Sequence, residues 1–558
     1  MSYCFGKRII ALCFALFIAS ALLWGPRAAD AGSEALDQTL PAIRAEAIRA
    51  HMNFLADDLL EGRATGTRGH EIAARYMASE FEAIGLEPAG ENGTYFQSVP
   101  LRSIRPDEQR TALAFVLGGK EKALVFRRDF VSYGDPGRIS TSVEAPVVYV
   151  GFGVTASDQR YDDYAGVEAK GKIIAYLSGA PASFPSTIRA HYSSAKAKAA
   201  NAVAHGAVGT ILLDSPELEQ RYPFEERVRD LSMPELRWLD SNGQPNDYFP
   251  QLRGTAILSM NATAELLEGS GHEPKDVYEA ASQGKPSSFA VPITVKIRVL
   301  SMHQGIRSPN VIARLRGNDS QLQSQYVVYT AHLDHLGIGE AVKGDRIYNG
   351  ALDNAAGSAC LLEIARAFTE LKLSPRRSVL FVSVTGEEEG LLGSDYFAQH
   401  PTVPKDALVA NINMDGAALL WPIQDVIAYG AEHSSLGTTV NQAASLLGLE
   451  VSPDPRPEQV FFIRSDQYSF VKQGIPSVFV MSGLKSNAPA IKPPEIIANW
   501  RKSVYHKPQD DMTQPFDFRS GARFAQFNFL VGYLIAQRTE KPAWNPGDFF
   551  GEQYGPSK

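Results

Sequence analysis

Apolar positions recur every three or four residues between Leu40 and Glu87, then give way further on to short unbroken runs. The first pattern predicts helices. AIRAEAIRAHMNFLADDLL is one amphipathic stretch, and HEIAARYMASEFEAIGL is a second with Gly85 near its end. GRATGTRG between them reads as a loop. Its arginines, Arg63 and Arg68, are expected at the surface, and His51 and His70 are expected to be structural. From Tyr95 to about residue 140 the runs are short and strand-like. APVVYVGFGV and GKIIAYLSG then read as buried strands, and KAKAANAVAHGAVGTILLD as helix, glycine and strand. This β-rich stretch holds no His/Asp/Glu cluster at ligand spacing and is expected to be an inserted, non-catalytic domain over 141–290.

From Pro292 strands and helices alternate. The runs Tyr326–Thr330, Ser378–Val384, Leu408–Asn413, Val426–Tyr429 and Pro476–Met481 are short and rich in β-branched residues. Helical patterns lie between them at Gly357–Leu371, Leu391–His400 and Gly437–Leu447, and a last apolar helix covers Phe518–Arg538. Such alternation predicts an α/β fold with a mixed, largely parallel sheet flanked by helices. The expected segments are 1–31, 32–140, 141–290, 291–540 and a tail over 541–558.

Composition changes the picture at the N-terminus. The chain has 558 residues, 44% hydrophobic and 21% charged, ordinary for globular protein and long enough for more than one domain. Lys7 and Arg8 precede an apolar run from Ile9 to Trp24, and Ala29-Asp30-Ala31 is a small-x-small cleavage site. We expect a secretory signal cut after Ala31, hence a secreted or periplasmic protein without a permanent membrane anchor, because the run is short of the roughly twenty residues that span a bilayer. Net charge is −8, and the signal would carry away Lys7, Arg8 and Arg27 against Asp30 alone, so nucleic acid is not an expected partner. Cys4 and Cys13 would leave with the signal. Cys360, among Ala, Leu and Ile, is expected in the core rather than as a nucleophile.

Candidate chemistry follows the strands. After Tyr326–Thr330 comes His332-Leu-Asp334. After Ser378–Val384 comes Gly386-Glu387-Glu388-Glu389, and after Leu408–Asn413 comes Asp415. In open α/β sheets ligands bind beyond the carboxyl ends of the strands, so these groups share one edge. NGALDNAAG adds Asp353 ahead of a small-residue helix start, and YHKPQD adds His506 and Asp510 from a late loop. Each piece alone is common; their joint placement is what points to metal. Imidazole and carboxylate are the usual non-thiol ligands of zinc. Two Zn2+ sites share them naturally, one with His332, the other with His506, with Asp353 between them and Glu388 and Asp415 completing the set. Three carboxylates against two divalent ions and a bridging hydroxide come close to neutrality. Two ions about 3.5–4 Å apart activate a shared water and clamp a carbonyl. Glu387, beside a ligand but free of metal, suits the general base. Asp334 is placed to accept from the other ring nitrogen of His332, and Asp510 to do the same for His506.

At these residues the chain resembles the di-zinc exopeptidases, peptidase family M number twenty-eight. AHLDHLG, NGALDNAAG, TGEEEGLLGS, NINMDG, RSDQYSF and YHKPQDD appear in the family's order. YDDYAGVEAKGKII and AKAANAVAHGAVGTILL look like the protease-associated domain of such proteins. The resemblance implies a zinc aminopeptidase acting on the N-termini of peptides or proteins. It implies His332, Asp353, Glu388, Asp415 and His506 as ligands with Asp353 bridging, Glu387 as base, and Arg464 and Tyr505 at the oxygen of the tetrahedral intermediate. His335 is expected to support the site rather than bind metal. Gln467 and Glu389 are expected to vary. Carboxypeptidases and dipeptidases share the fold. A glutaminyl cyclase fits less well with the Glu387-Glu388 pair and the insertion, and an inactive receptor-like relative would lack ligands that are all present here. Phe461, Phe462 and Tyr468 are candidates for a pocket wall and equally for core.

Overall fold

The computed structural model describes residues 39–556. The signal segment expected over 1–31 lies outside the described residues. Three neighbouring parallel strands, Ser378–Val384, Tyr326–His332 and Leu408–Met414, form the centre of the main sheet, and every residue in them is buried. Burial on both faces explains why they read as continuous apolar runs rather than alternating ones. Val327, Tyr329 and Ala331 point into one core with the helices Ala45–Leu55, Arg68–Ala83, Ala356–Thr369 and Phe518–Gln537; Tyr326 and Val328 point into another with Phe397 and Phe470. Beyond them Ser477–Ser482 continues the parallel run, and Asp425–Tyr429 turns antiparallel. On the other side the sheet is antiparallel, through the long strand Phe289–Leu315, then Phe96–Pro106, then Glu235–Trp238. The sheet is therefore mixed, and its parallel half carries the candidate chemistry.

The long strand belongs to two sheets. Ser301–Val311 pair with Phe96–Pro106 in the main sheet, while 289–300 pair with Ser140–Tyr149 in a second sheet that has its own apolar core. The segment boundaries expected at 141 and 290 cut this second sheet. Ala112–Leu117 and Lys120–Leu124, ahead of the first boundary, pair within it. Glu235–Trp238, inside the expected insertion, instead forms an edge of the main sheet, where Trp238 Nε1 donates to Asp395 at 2.9 Å. The expected C-terminal tail is the segment 541–558. It contains the helix Phe549–Tyr554, whose Phe550 is fully buried against Phe462, Tyr468 and Phe479. Among the described residues no helix is long and apolar enough to cross a membrane. Cys360 is buried, and burial pushes its thiol well above the ordinary range.

Candidate metal centre

The strand Tyr326–His332 ends on a ligand-type residue, and its neighbours hand over to loops carrying the others. His332 is the last residue of its strand; Glu387 and Glu388 follow Ser378–Val384 after a turn at Gly386, whose φ is +69°; Asp415 follows Leu408–Met414. Asp353 precedes the helix Ala356–Thr369. Here small residues are required, because a Cβ on Gly357 would lie 2.6 Å from Met414 O and 2.2 Å from Asn354 Oδ1. Asn354 Oδ1 in turn accepts from the amides of Gly357 and Gly416, tying the helix start to the loop that carries Asp415.

Asp353 sits at the middle of the cluster. Its Oδ1 is 3.2 Å from His332 Nε2, and its Oδ2 is 3.2 Å from His506 Nε2. His332 Nε2 is also 3.4 Å from Asp415 Oδ1, and His506 Nε2 is 3.3 Å from Glu388 Oε2. The five expected ligands thus form two lobes joined through one carboxylate. Burial opposes charge on His506, yet Glu388 and Asp353 hold that imidazole protonated up to about 10. Burial likewise opposes charge on His332, and Glu387 and Asp415 override it. Buried carboxylates that favour positive charge so strongly, with imidazole nitrogens facing the same oxygens, fit divalent zinc, whose charge would stand in place of those protons.

His335 stands beside the second lobe. Its Nδ1 is 2.7 Å from Glu388 Oε1, opposite the oxygen that faces His506, and its Nε2 is buried with no hydrogen-bond partner. Grouped by mutual reach, donors fall into His332, Asp353 and Asp415, and into His335, Asp353 and Glu388. His506 Nε2 lies near both Asp353 and Glu388, while the Nδ1 of His335 meets Glu388.

Two expected contacts take a different form. Asp334 Oδ1 is 4.0 Å from His332 Nδ1; the near acceptor is the Asp334 backbone oxygen at 3.1 Å. The Asp334 carboxylate accepts instead from the amides of Glu387 and Glu388, each at 3.2 Å, and so shapes the loop that carries them. Asp510 does not meet His506 either. It accepts from the amides of Leu352 at 2.9 Å and Asp353 at 3.0 Å. Both carboxylates act on backbone, because a ligand loop with no regular partner strand leaves its N–H groups to be satisfied by side chains.

The sequence reading missed two further residues. Arg63, expected at the surface, is fully buried. Its guanidinium donates to the backbone oxygens of Leu55, Leu333, Asn349 and Gly350, which fastens the loops on either side of the cluster. Burial lowers it to about 10, and Asp334, Asp510 and Asp353 pull the other way. Ser465 Oγ donates to Asp415 Oδ2 at 2.7 Å and is itself held by Asn413. The motif RSD draws attention to Arg464; nothing in it reveals that the serine meets Asp415.

A cavity of about 190 Å³ opens beside the cluster. Glu387, Asp353 and Asp415 line it, and so do Arg464 and Tyr505 from separate loops. Tyr505, 37% exposed, stacks on His506 with ring centroids 3.8 Å apart. Phe461 lines the cavity, whereas Phe462 and Tyr468 belong to a buried cluster behind it. Burial pushes Glu387 well above the usual carboxylate range, His332 opposes this, and Asp415 and Glu388 add to it.

The parallel half of the mixed sheet thus carries a two-lobed imidazole–carboxylate cluster beyond its strand ends. Residues 310–529 match the model described as Peptidase family M28. Leucine aminopeptidase 2 of Trichophyton rubrum is 27% identical over 258 residues, covering 44% of this chain and 48% of that protein. Aminopeptidase NAALADL1 of Rattus norvegicus is 24% identical over 381 residues, covering 59% of this chain and 44% of that one. The matches thus span about half the length of these curated relatives. Among solved structures, the aminopeptidase from Aneurinibacillus sp. strain AM-1 shares the fold with a TM-score of 0.52 at 19% identity, covering 92% of this chain and 99% of that one.

Proposed function

We propose that the chain is an exported zinc aminopeptidase that hydrolyses the N-terminal peptide bond of peptides or proteins, with two Zn2+ per chain. Two ions are supported by Asp353, whose two oxygens face different imidazoles, His332 and His506. His332, Asp353 and Asp415 would hold one, and Asp353, Glu388 and His506 the other. Zinc, when bound, supplies Lewis acidity that activates water and polarises the attacked carbonyl. The remaining chemistry belongs to side chains. Glu387, which lines the cavity outside both lobes, takes the proton from the attacking water and passes it to the leaving amine. Arg464 and Tyr505 line the same cavity and donate to the developing oxyanion. Asp334 and Asp510 hold the backbone of Glu387, Glu388 and Asp353, so that the ligands and the base keep their spacing.

The test is hydrolysis of free and N-acetylated aminoacyl-arylamides by the zinc-loaded protein, with and without chelator. Free substrates are expected to turn over and chelator to abolish it; cleavage of blocked substrates alone, or chelator-resistant activity, overturns the proposal. Glu387→Gln should lower kcat by roughly 10²–10⁴-fold while zinc content by elemental analysis stays unchanged. Loss of zinc would instead make Glu387 a ligand. For export, the N-terminus of protein recovered outside the cytoplasm is expected at Gly32.

A further inference from the structure

The two terminal carboxylates of the cluster are held in the same way. Asp415 turns Oδ1 to His332 Nε2, at 3.4 Å, while its Oδ2 accepts from Ser465 Oγ at 2.7 Å. Glu388 turns Oε2 to His506 Nε2, at 3.3 Å, while its Oε1 meets His335 Nδ1 at 2.7 Å. Asp353, between the lobes, has no such side-chain donor among the described residues, and its two oxygens face two different imidazoles. An ionised carboxylate only accepts, so the short contact at Glu388 fixes the tautomer: His335 donates through Nδ1–H. A nitrogen that carries this proton has no lone pair left for a metal. His335 thus stands to Glu388 as Ser465 does to Asp415.

The ring is fixed in place. His335 is 2% exposed, its amide donates to Arg63 O at 3.3 Å, and a Cβ on Gly350 would lie 2.5 Å from its Cγ. The lobe it serves is the one that needs an anchor. The His332 side chain, at the end of a central strand, is 0% exposed, whereas that of His506, on a late loop, is 35% exposed. We infer that His335 is a positioning residue: it pins Glu388 through Oε1, leaves Oε2 alone for the second ion, and so sets the affinity of that lobe for zinc. This rests on the two-ion reading above and names what governs its second site. The other ring nitrogen, Nε2, is buried without a hydrogen-bond partner. In the Nδ1–H tautomer it carries no proton, so no N–H is stranded there.

The test is zinc affinity, read by competition with a chromophoric chelator, in wild type, His335→Asn and His335→Leu. The two substitutions have nearly the same shape, but only asparagine sets an N–H where Nδ1 stands. Loss of a hydrogen-bonded partner behind a metal ligand costs about 10–100-fold in affinity. Wild type should bind two ions. One of the two dissociation constants should rise by about that factor in His335→Leu and recover most of the loss in His335→Asn, with two ions bound by all three proteins in excess zinc. In a His506→Ala background, where the second lobe is disabled, His335→Leu should leave the affinity for the remaining ion unchanged. Melting curves without zinc separate this from a purely structural role, which would lower Tm and leave the asparagine and leucine variants equal in affinity. Should His335→Leu not fold, His335→Ala takes its place. Equal affinities in wild type and variants, or an asparagine variant as weak as leucine, overturn the inference and leave the two-ion peptidase standing. Loss of one ion from both variants in excess zinc makes His335 a ligand and also overturns it. Fewer than two ions in wild type overturns the two-ion reading itself, and the inference with it.

Discussion

Asp353 and Glu363 show how a single buried carboxylate can serve opposite ends. Asp353 faces His332 with one oxygen and His506 with the other, so Asp353→Asn should lower the content of both ions, whereas His506→Ala should leave about one equivalent. Elemental analysis of both variants, with His335→Ala alongside, checks this; loss of an ion from His335→Ala and none from His506→Ala would transfer the second lobe to His335. Glu363 is structural. It accepts from the Arg44 amide at 2.9 Å and from Arg366 Nη2 at 2.6 Å. Burial raises its carboxyl, yet His51, 3.9 Å away, and the hydrogen bonds from Arg366 and Arg44 outweigh burial and hold it down at about 2. A folded-state value below the unfolded one means stability present above the unfolded pKa and lost as pH falls towards about 2. Glu363→Gln should therefore remove roughly 2 kcal/mol at neutral pH and flatten the decline below about pH 4.5. Denaturant titrations across that range test it, and equal slopes for the two proteins would count against it. His332-Leu-Asp334 was legible as a ligand motif, but not which part of Asp334 accepts from the imidazole, because φ and ψ at a turn decide between carboxylate and carbonyl.

At the scale of elements, the helices and central strands follow their hydrophobic periodicity closely. Ser378–Val384 was expected with those bounds, and the strand ending on His332 extends only two residues past its expected end. The final helix, Phe518–Gln537, docks on the central strand where Gly532 meets Tyr329. A Cβ at Gly532 would lie 1.9 Å from Tyr329 Oη, which already donates to Asn528 O at 2.8 Å. Alanine gains about 1 kcal/mol of helix propensity over glycine, while forced overpacking costs about 1–3 kcal/mol. Since Tyr329 is fully buried and held by its hydrogen bond, the second effect should win. Gly532→Ala is expected to lower Tm, and an unchanged or higher Tm would show that helix and strand separate easily. Arg63 was misread at this scale. GRATGTRG looks like exposed loop, and the four carbonyls that gather around the guanidinium come from residues 55, 333, 349 and 350, which no local pattern connects.

For the whole molecule, the proposed metal centre joins loops that follow three strands of the main sheet, a helix start and the late segment around His506. Ions bound only to the folded chain stabilise it by mass action. Chelation should lower Tm by several degrees, with recovery on adding zinc and a smaller shift in Asp353→Asn; a Tm indifferent to chelator would separate folding from metal. The sequence by itself determined the α/β class and the order of strands and helices, because these follow from local periodicity. It also determined that His332, Glu388 and Asp415 share one edge, since each ends or follows a strand of one parallel run. Only the tertiary structure decided that Phe289–Leu315 serves two sheets and that Phe549–Tyr554 closes a core cluster, because strand pairing and docking are long-range. It alone brought Arg456, Arg464 and Arg501 around one phenylalanine, since three cations spread over 46 positions of sequence carry no signal of meeting until the chain folds.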